Sequence, residues 1–175
     1  GVFDISYLKH IPNLTVLAPK DGYELEQMME YALTLEGPCA IRYPRGSALQ
    51  IDENGNLEYG KAQRLAEGKK VDIWAAGAMV KTALDVADIL KEKGIEPGVV
   101  NVRFVNPFDV EALRESAEKN DLIVTMEDNV ISGGFGEEVS RHLAGFNINV
   151  LNIAWPVKFI EHGTCEQLYE KYAMD

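Results

Sequence analysis

Apolar positions along the chain follow two spacings. Leu14–Ala18, Cys39–Tyr43, Val71–Ala76, Val99–Phe104, Leu122–Met126 and Val150–Ala154 are largely apolar stretches of strand length. Between them, apolar residues recur every three or four positions, which predicts amphipathic helices. One such helix runs from Asp21 to about Leu35 and buries Leu25, Met28, Met29, Ala32 and Leu35. Asp21 is its N-cap, and Glu24 three residues later completes a capping box. A second covers Met79–Lys93 with Val80, Leu84, Ala87 and Leu90 inward, and Gly94 ends it. Further helices are predicted from an Asp109 cap to about Lys119, over Phe135–Ala144, and from a Thr164 cap through Tyr172. A short helix over residues 3–9 precedes the first strand.

Strands that alternate with helical segments of this length predict βαβ units. The fold class is α/β: a mostly parallel sheet with flanking helices over residues 71–175, preceded by the tail of another α/β domain over 1–46. Residues 47–70 read as a linker. Within it, Asn54-Gly55 marks a turn, and 49–51 and 57–64 are expected to pair as short strands.

The chain has 17 basic and 28 acidic residues, a net charge of −11. Nucleic acid and anionic membranes require a positive footprint, so neither is expected as a partner. A local basic pocket for a small phosphate remains compatible with this balance. Cys39 and Cys165 form no C-x-x-C pair, and His10, His142 and His162 have no metal-ligand spacing. No apolar run approaches the ~18 residues of a membrane span and no secretory leader is visible, so a reducing, cytoplasmic setting is expected. The opening Gly1 and the closing Met174-Asp175 read as cut ends of a longer polypeptide.

The most informative chemistry is in Arg42-Tyr43-Pro44-Arg45-Gly46. Pro44 stops a strand, Gly46 frees a turn, and two guanidinium groups stand at the strand's carboxyl end. A guanidinium fork fits phosphate oxygens, and open α/β sheets bind ligands at this end. Two readings stand: an anion site, or solvated arginines at a strand end. Glu127-Asp128 offers carboxylates, but adjacent strand residues face opposite ways and make a poor chelating pair. The loop Gly133-Gly134-Phe135-Gly136 does not match the G-x-G-x-x-G dinucleotide pattern, and Glu137-Glu138 would repel a diphosphate. It reads as a structural strand–helix junction. Arg103 and Asn106 also stand at a strand end, where they could line a crevice. No Ser-His-Asp arrangement or hydrolase elbow is visible.

Taken together, Gly1–Leu8, Ile11-Pro12-Asn13, Ala18-Pro19-Lys20-Asp21, Ile41–Gly46 and Gly133–Gly136 resemble the 1-deoxy-D-xylulose-5-phosphate synthase family. That family is a branch of the transketolase-like, thiamine-diphosphate-dependent enzymes. The resemblance implies a homodimeric transferase that condenses pyruvate with glyceraldehyde 3-phosphate, releases carbon dioxide, and needs thiamine diphosphate and Mg2+. It implies that 1–46 end the pyrimidine-binding domain and that 71–175 form the C-terminal domain. It assigns Arg45 to the substrate phosphate and gives Arg42 a structural ion pair. The family's catalytic histidine, its cofactor-activating glutamate and its Gly-Asp-Gly metal motif have no counterpart in this sequence. The piece itself is therefore expected to hold no catalytic, cofactor or metal residue and to be inactive. Other readings are a non-catalytic dimerisation module, or part of a transketolase or a 2-oxoacid dehydrogenase β subunit. The Gly-Val-Phe-Asp opening and Tyr-Pro-Arg-Gly argue against the last two. A nucleotide-binding regulatory domain is disfavoured by the missing dinucleotide pattern.

Overall fold

A computed structural model describes residues 1–47, 49–51 and 55–174. In chain order the elements are α1 (Asp4–Leu8), β1 (Thr15–Leu17), α2 (Gly22–Ala32), β2 (Cys39–Ile41), β3 (Gln63–Ala66), β4 (Lys70–Ala75), α3 (Met79–Glu92), β5 (Gly98–Asn101), β6 (Phe104–Asn106), α4 (Val110–Lys119), β7 (Asn120–Val130), α5 (Phe135–His142), β8 (Asn149–Trp155) and α6 (Cys165–Tyr172). They form a five-stranded sheet in the order β3-β5-β4-β7-β8 and a three-stranded sheet in the order β2-β1-β6. In the larger sheet β5, β4, β7 and β8 are parallel, and β3 is an antiparallel edge.

Alternation along the central strands sends side chains to two cores. Trp74, Val100 and Ile123 pack with Leu113 of α4 and Phe135 and Val139 of α5. Ile73, Val99 and Val124 pack with Met79, Val80, Ala83 and Ala87 of α3. Burying side chains of this size stabilises by about 1.5–3 kcal/mol each. Trp74 is fully buried and donates from Nε1 to Ser116 Oγ at 3.1 Å, so its one polar atom is satisfied. The Ser116 hydroxyl in turn donates to buried Asp72, which Arg64 also holds.

The expected strand over 99–104 divides in two. Val102-Arg103 breaks it, and Arg103 takes a left-handed φ of +56°. Gly98–Asn101 stays in the large sheet, while Phe104–Asn106 crosses to pair antiparallel with β1. A left-handed non-glycine residue costs on the order of 1–3 kcal/mol. Here the turn delivers the Arg103 side chain to buried Glu24, a contact that a straight strand would forgo. The helix from Asp21 ends at Ala32, short of the expected Leu35, and Met29, expected inside, is 48% exposed. The pairing expected between 49–51 and 57–64 does not form; Gln63–Ala66 instead joins β5. Residues 52–54, where the predicted turn begins, lie outside the described residues.

Candidate functional site

Pro44 follows β2 and turns the chain away from the sheet, and Gly46 takes a φ of +142° that an L side chain would resist. Arg45, between them, is exposed and makes no ion pair among the described residues. It lines a cleft of about 330 Å3, together with Lys20, Asp21, Leu25, Tyr43 and Ala78. The cleft thus lies where the chain leaves β2, beside the starts of α2 and α3.

The cleft wall is built on charges that neutralise one another. Lys20 and Asp21 are buried, with Lys20 Nζ 3.2 Å from Asp21 Oδ2. Asp21 Oδ1 accepts from the Glu24 backbone N–H at 2.7 Å, which caps α2 as the sequence predicts. Glu24 reaches back one residue further than a capping box requires and accepts from the Lys20 backbone N–H at 2.8 Å. Glu24 is fully buried and also accepts from Arg103 Nε at 2.7 Å and Asn101 Nδ2 at 2.9 Å. Arg103 is therefore a buried partner and does not line a crevice. Asn106 does not line one either: its Nδ2 donates to the Leu14 carbonyl at 2.6 Å and secures β1.

Arg42 behaves differently from Arg45. Its Nη2 donates to Asp128 Oδ2 at 2.7 Å and to the Asp128 carbonyl at 2.8 Å. Asp128 Oδ1 accepts from Trp155 Nε1 at 2.6 Å. The structural ion pair expected for Arg42 is present, and it ties the segment after β2 to β7.

Glu127, on the opposite face of β7, is fully buried and accepts from the backbone N–H groups of Phe135 and Gly136 at 2.9 and 2.8 Å. Burial raises its pKa to about 7, opposed by those two donors and by Lys9 and Arg42. The glycines around it are a packing requirement. A Cβ on Gly134 would lie 2.5 Å from Glu127 Oε1, and one on Gly136 would lie 2.4 Å from Thr125 Oγ1. The Gly-Gly-Phe-Gly loop is thus the junction that lets α5 sit on β7.

The histidines do not converge on Arg45. His10 lines a separate hollow with Lys9, Glu137, Glu138 and Arg141, where Glu138 holds Lys9 Nζ at 2.5 Å. His142 stands 3.6 Å from Glu138, and His162 is exposed. Among the described residues no group of three or more His, Cys, Asp and Glu side chains could hold a metal ion. Glu127 and Asp128 are committed to protein donors. The residues present do not fit a metal–diphosphate pair, so no chemical step is assigned to one here.

Sequence reasoning reads Asp21 only as a cap and gives Lys20 no role; the cleft wall they form depends on long-range packing. Asn129 is missed altogether. Its Oδ1 accepts from the Ile5 N–H at 3.1 Å, so it caps α1 from a strand far along the chain.

The largely parallel five-stranded sheet with its glycine junction into α5, beside a smaller sheet whose β2 leads into the cleft, defines an α/β fold of the kind that binds ligands at strand ends. The chain belongs to the transketolase family: the transketolase C-terminal domain matches residues 60–175, and the transketolase pyrimidine binding domain matches 1–49. It is 46% identical over 179 residues to the 1-deoxy-D-xylulose-5-phosphate synthase of Caldanaerobacter subterraneus subsp. tengcongensis, covering 100% of this chain and 29% of that protein. The enzyme of the same name from Clostridium tetani is 43% identical over 178 residues, with the same coverage. The chain therefore spans 29% of the length of these curated relatives. Among solved structures, a split-gene transketolase, described as an inactive β4 tetramer, matches with a TM-score of 0.94 at 31% identity, over 99% of this chain and 58% of that one. Campylobacter jejuni transketolase shares the fold, with a TM-score of 0.70 at 23% identity over 97% of this chain and 26% of that one. No helix among the described residues is long and apolar enough to cross a membrane.

Proposed function

We propose that this chain is the C-terminal part of a 1-deoxy-D-xylulose-5-phosphate synthase, and that Arg45 binds the phosphate of the aldehyde substrate. The whole enzyme condenses pyruvate with glyceraldehyde 3-phosphate with loss of carbon dioxide, as a cytoplasmic homodimer. Its product supplies isoprenoid, thiamine and pyridoxal precursors. Residues 1–46 then end the pyrimidine-binding domain and 71–175 are the C-terminal domain, joined by 47–70, of which Gln63–Ala66 adds the edge strand to the C-terminal domain's sheet. Thiamine diphosphate with Mg2+, which stabilises carbanions when bound, is held by parts of the longer protein outside this sequence. The 175 residues alone are inactive.

The observation that carries this reading is the contrast between two arginines three residues apart. Arg42 is committed to Asp128, while Arg45 stands at a cleft with no ion pair to its guanidinium among the described residues. An exposed guanidinium beside a neutral wall attracts a dianion, and bidentate contacts hold it in one orientation. In the full-length enzyme, Arg45→Ala should raise KM for glyceraldehyde 3-phosphate about ten-fold and leave KM for pyruvate unchanged. Steady-state kinetics with each substrate varied in turn decides it; an unchanged aldehyde KM overturns the role of Arg45.

A further inference from the structure

Arg45 lies on a short segment whose far end is tied down. The Leu49 carbonyl accepts from the Gly22 backbone N–H at 3.2 Å, and the Ile51 N–H donates to Asp21 Oδ2 at 3.3 Å. Both anchors are at the first turn of α2. The same carboxylate therefore does two jobs with two oxygens: Oδ1 caps α2, and Oδ2 holds the segment that follows Arg45. Lys20 Nζ lies 3.2 Å from Oδ2 and balances this carboxylate, which is buried within the cleft wall. Without that lysine, the buried carboxylate would leave an uncompensated negative charge inside the cleft wall.

We infer that Asp21 is a positioning residue for the phosphorylated substrate: it anchors Ile51, a few residues after Arg45, at the start of α2, while Lys20 neutralises its charge. The inference rests on the reading of Arg45 as a phosphate ligand. Asp21 touches no substrate; it acts through the anchoring of Ile51, downstream of Arg45, and through the charge balance of the cleft wall. A side chain that supplies one acceptor in place of two separates its jobs. Asp21→Asn keeps the Oδ1 cap but presents an amide N–H2 to Ile51 N–H and Lys20 Nζ, neither of which can accept. Asp21→Ser likewise caps a helix and lacks the second acceptor.

The test uses the full-length enzyme with its cofactor and two acceptors, glyceraldehyde 3-phosphate and unphosphorylated glyceraldehyde. Asp21→Asn and Asp21→Ser should each raise KM for the phosphorylated acceptor about five-fold, with kcat and the unphosphorylated reaction held within about two-fold. Combined with Arg45→Ala, either variant should add nothing beyond the single Arg45 change, because its effect passes through that residue. An equal loss with both acceptors, an unchanged KM for the phosphorylated one, or full additivity with Arg45→Ala overturns the inference. Arg45→Ala alone judges the underlying reading. A rise in KM there, with none for the Asp21 variants, removes the positioning role and leaves the phosphate contact standing.

Discussion

Arg103 and Glu24, far apart in the chain, meet in the interior at 2.7 Å, where both are almost wholly buried. Arg103 also donates to the carbonyls of Asn56 at 2.8 Å and Gly55 at 3.2 Å. One side chain therefore fixes the start of α2, the middle of the connecting segment and the crossing from β5 to β6.

Removing the cation should be costly. Arg103→Met leaves Glu24 buried with Asn101 as its nearest side-chain donor and Lys20 Nζ at 4.0 Å. Breaking one side of a buried pair destabilises by about 3–5 kcal/mol. Urea denaturation of the variant should show the loss. A midpoint close to that of the parent would mean that Glu24 takes up a proton or finds water.

The glycine junction gives a second prediction. Gly136→Ala puts a methyl group against the Thr125 hydroxyl, which donates to Asn152 Oδ1 at 2.8 Å. Gly134→Ala presses on the Glu127 carboxylate. Overpacking of this kind costs about 1–3 kcal/mol. Thermal unfolding should register both variants as less stable, whereas alanine at Gly94, with open space around it but a φ of +79°, tests backbone strain alone. If Gly136→Ala melts with the parent, the packing account of the loop is wrong.

Glu127 should give the fold a pH dependence of unusual sign. Its folded pKa of about 7 lies above its ordinary value of 4.5. Between these pH values the folded chain keeps a proton that the unfolded chain releases, so stability falls as pH rises from about 4.5 to about 7. Below that window both states are protonated, and above it both are ionised. The full excursion is of the order of 3 kcal/mol. Denaturation midpoints across the window, compared with Glu127→Gln, should show a slope in the parent that flattens in the variant. Parallel slopes would assign the dependence to other groups.

The Arg42–Asp128 pair predicts a local effect. Arg42→Leu removes two donors from Asp128, one to its carboxylate and one to its carbonyl, and leaves Trp155 Nε1 as the carboxylate's donor. Charged hydrogen bonds of this kind contribute about 1.5–3 kcal/mol. Amide hydrogen exchange should quicken around 42–45 and at the end of β7 while the β4 core stays protected. A uniform change throughout would indicate global destabilisation instead.

Much of the fold is legible because its signals are local. The Asp21, Asp109 and Thr164 caps accept from the residue three positions on, as their spacing predicts. The αβ alternation from Val71 onward follows from periodicity alone. Arg103 marks the limit: Val99–Phe104 reads as one apolar strand, and nothing local announces that a carboxylate on α2 draws its arginine into a left-handed turn. The site was legible in part. Arg45 stands out by its Pro-Gly setting, but the lysine and aspartate of the cleft wall lie a helix and a strand away in sequence. Asn129 shows the same limit, since a side chain that caps a distant helix leaves no mark at the helix itself.

The crossing of β6 has a topological consequence. Because Phe104–Asn106 is hydrogen-bonded beside β1, the opening segment shares a ladder with residues from the middle of the chain. Severing the polypeptide anywhere between Pro44 and Gln63 would leave two parts still stitched by that ladder, by Arg42 and by Arg103. Genes encoding the two parts separately should therefore yield products that find each other on co-expression, and neither should fold well alone.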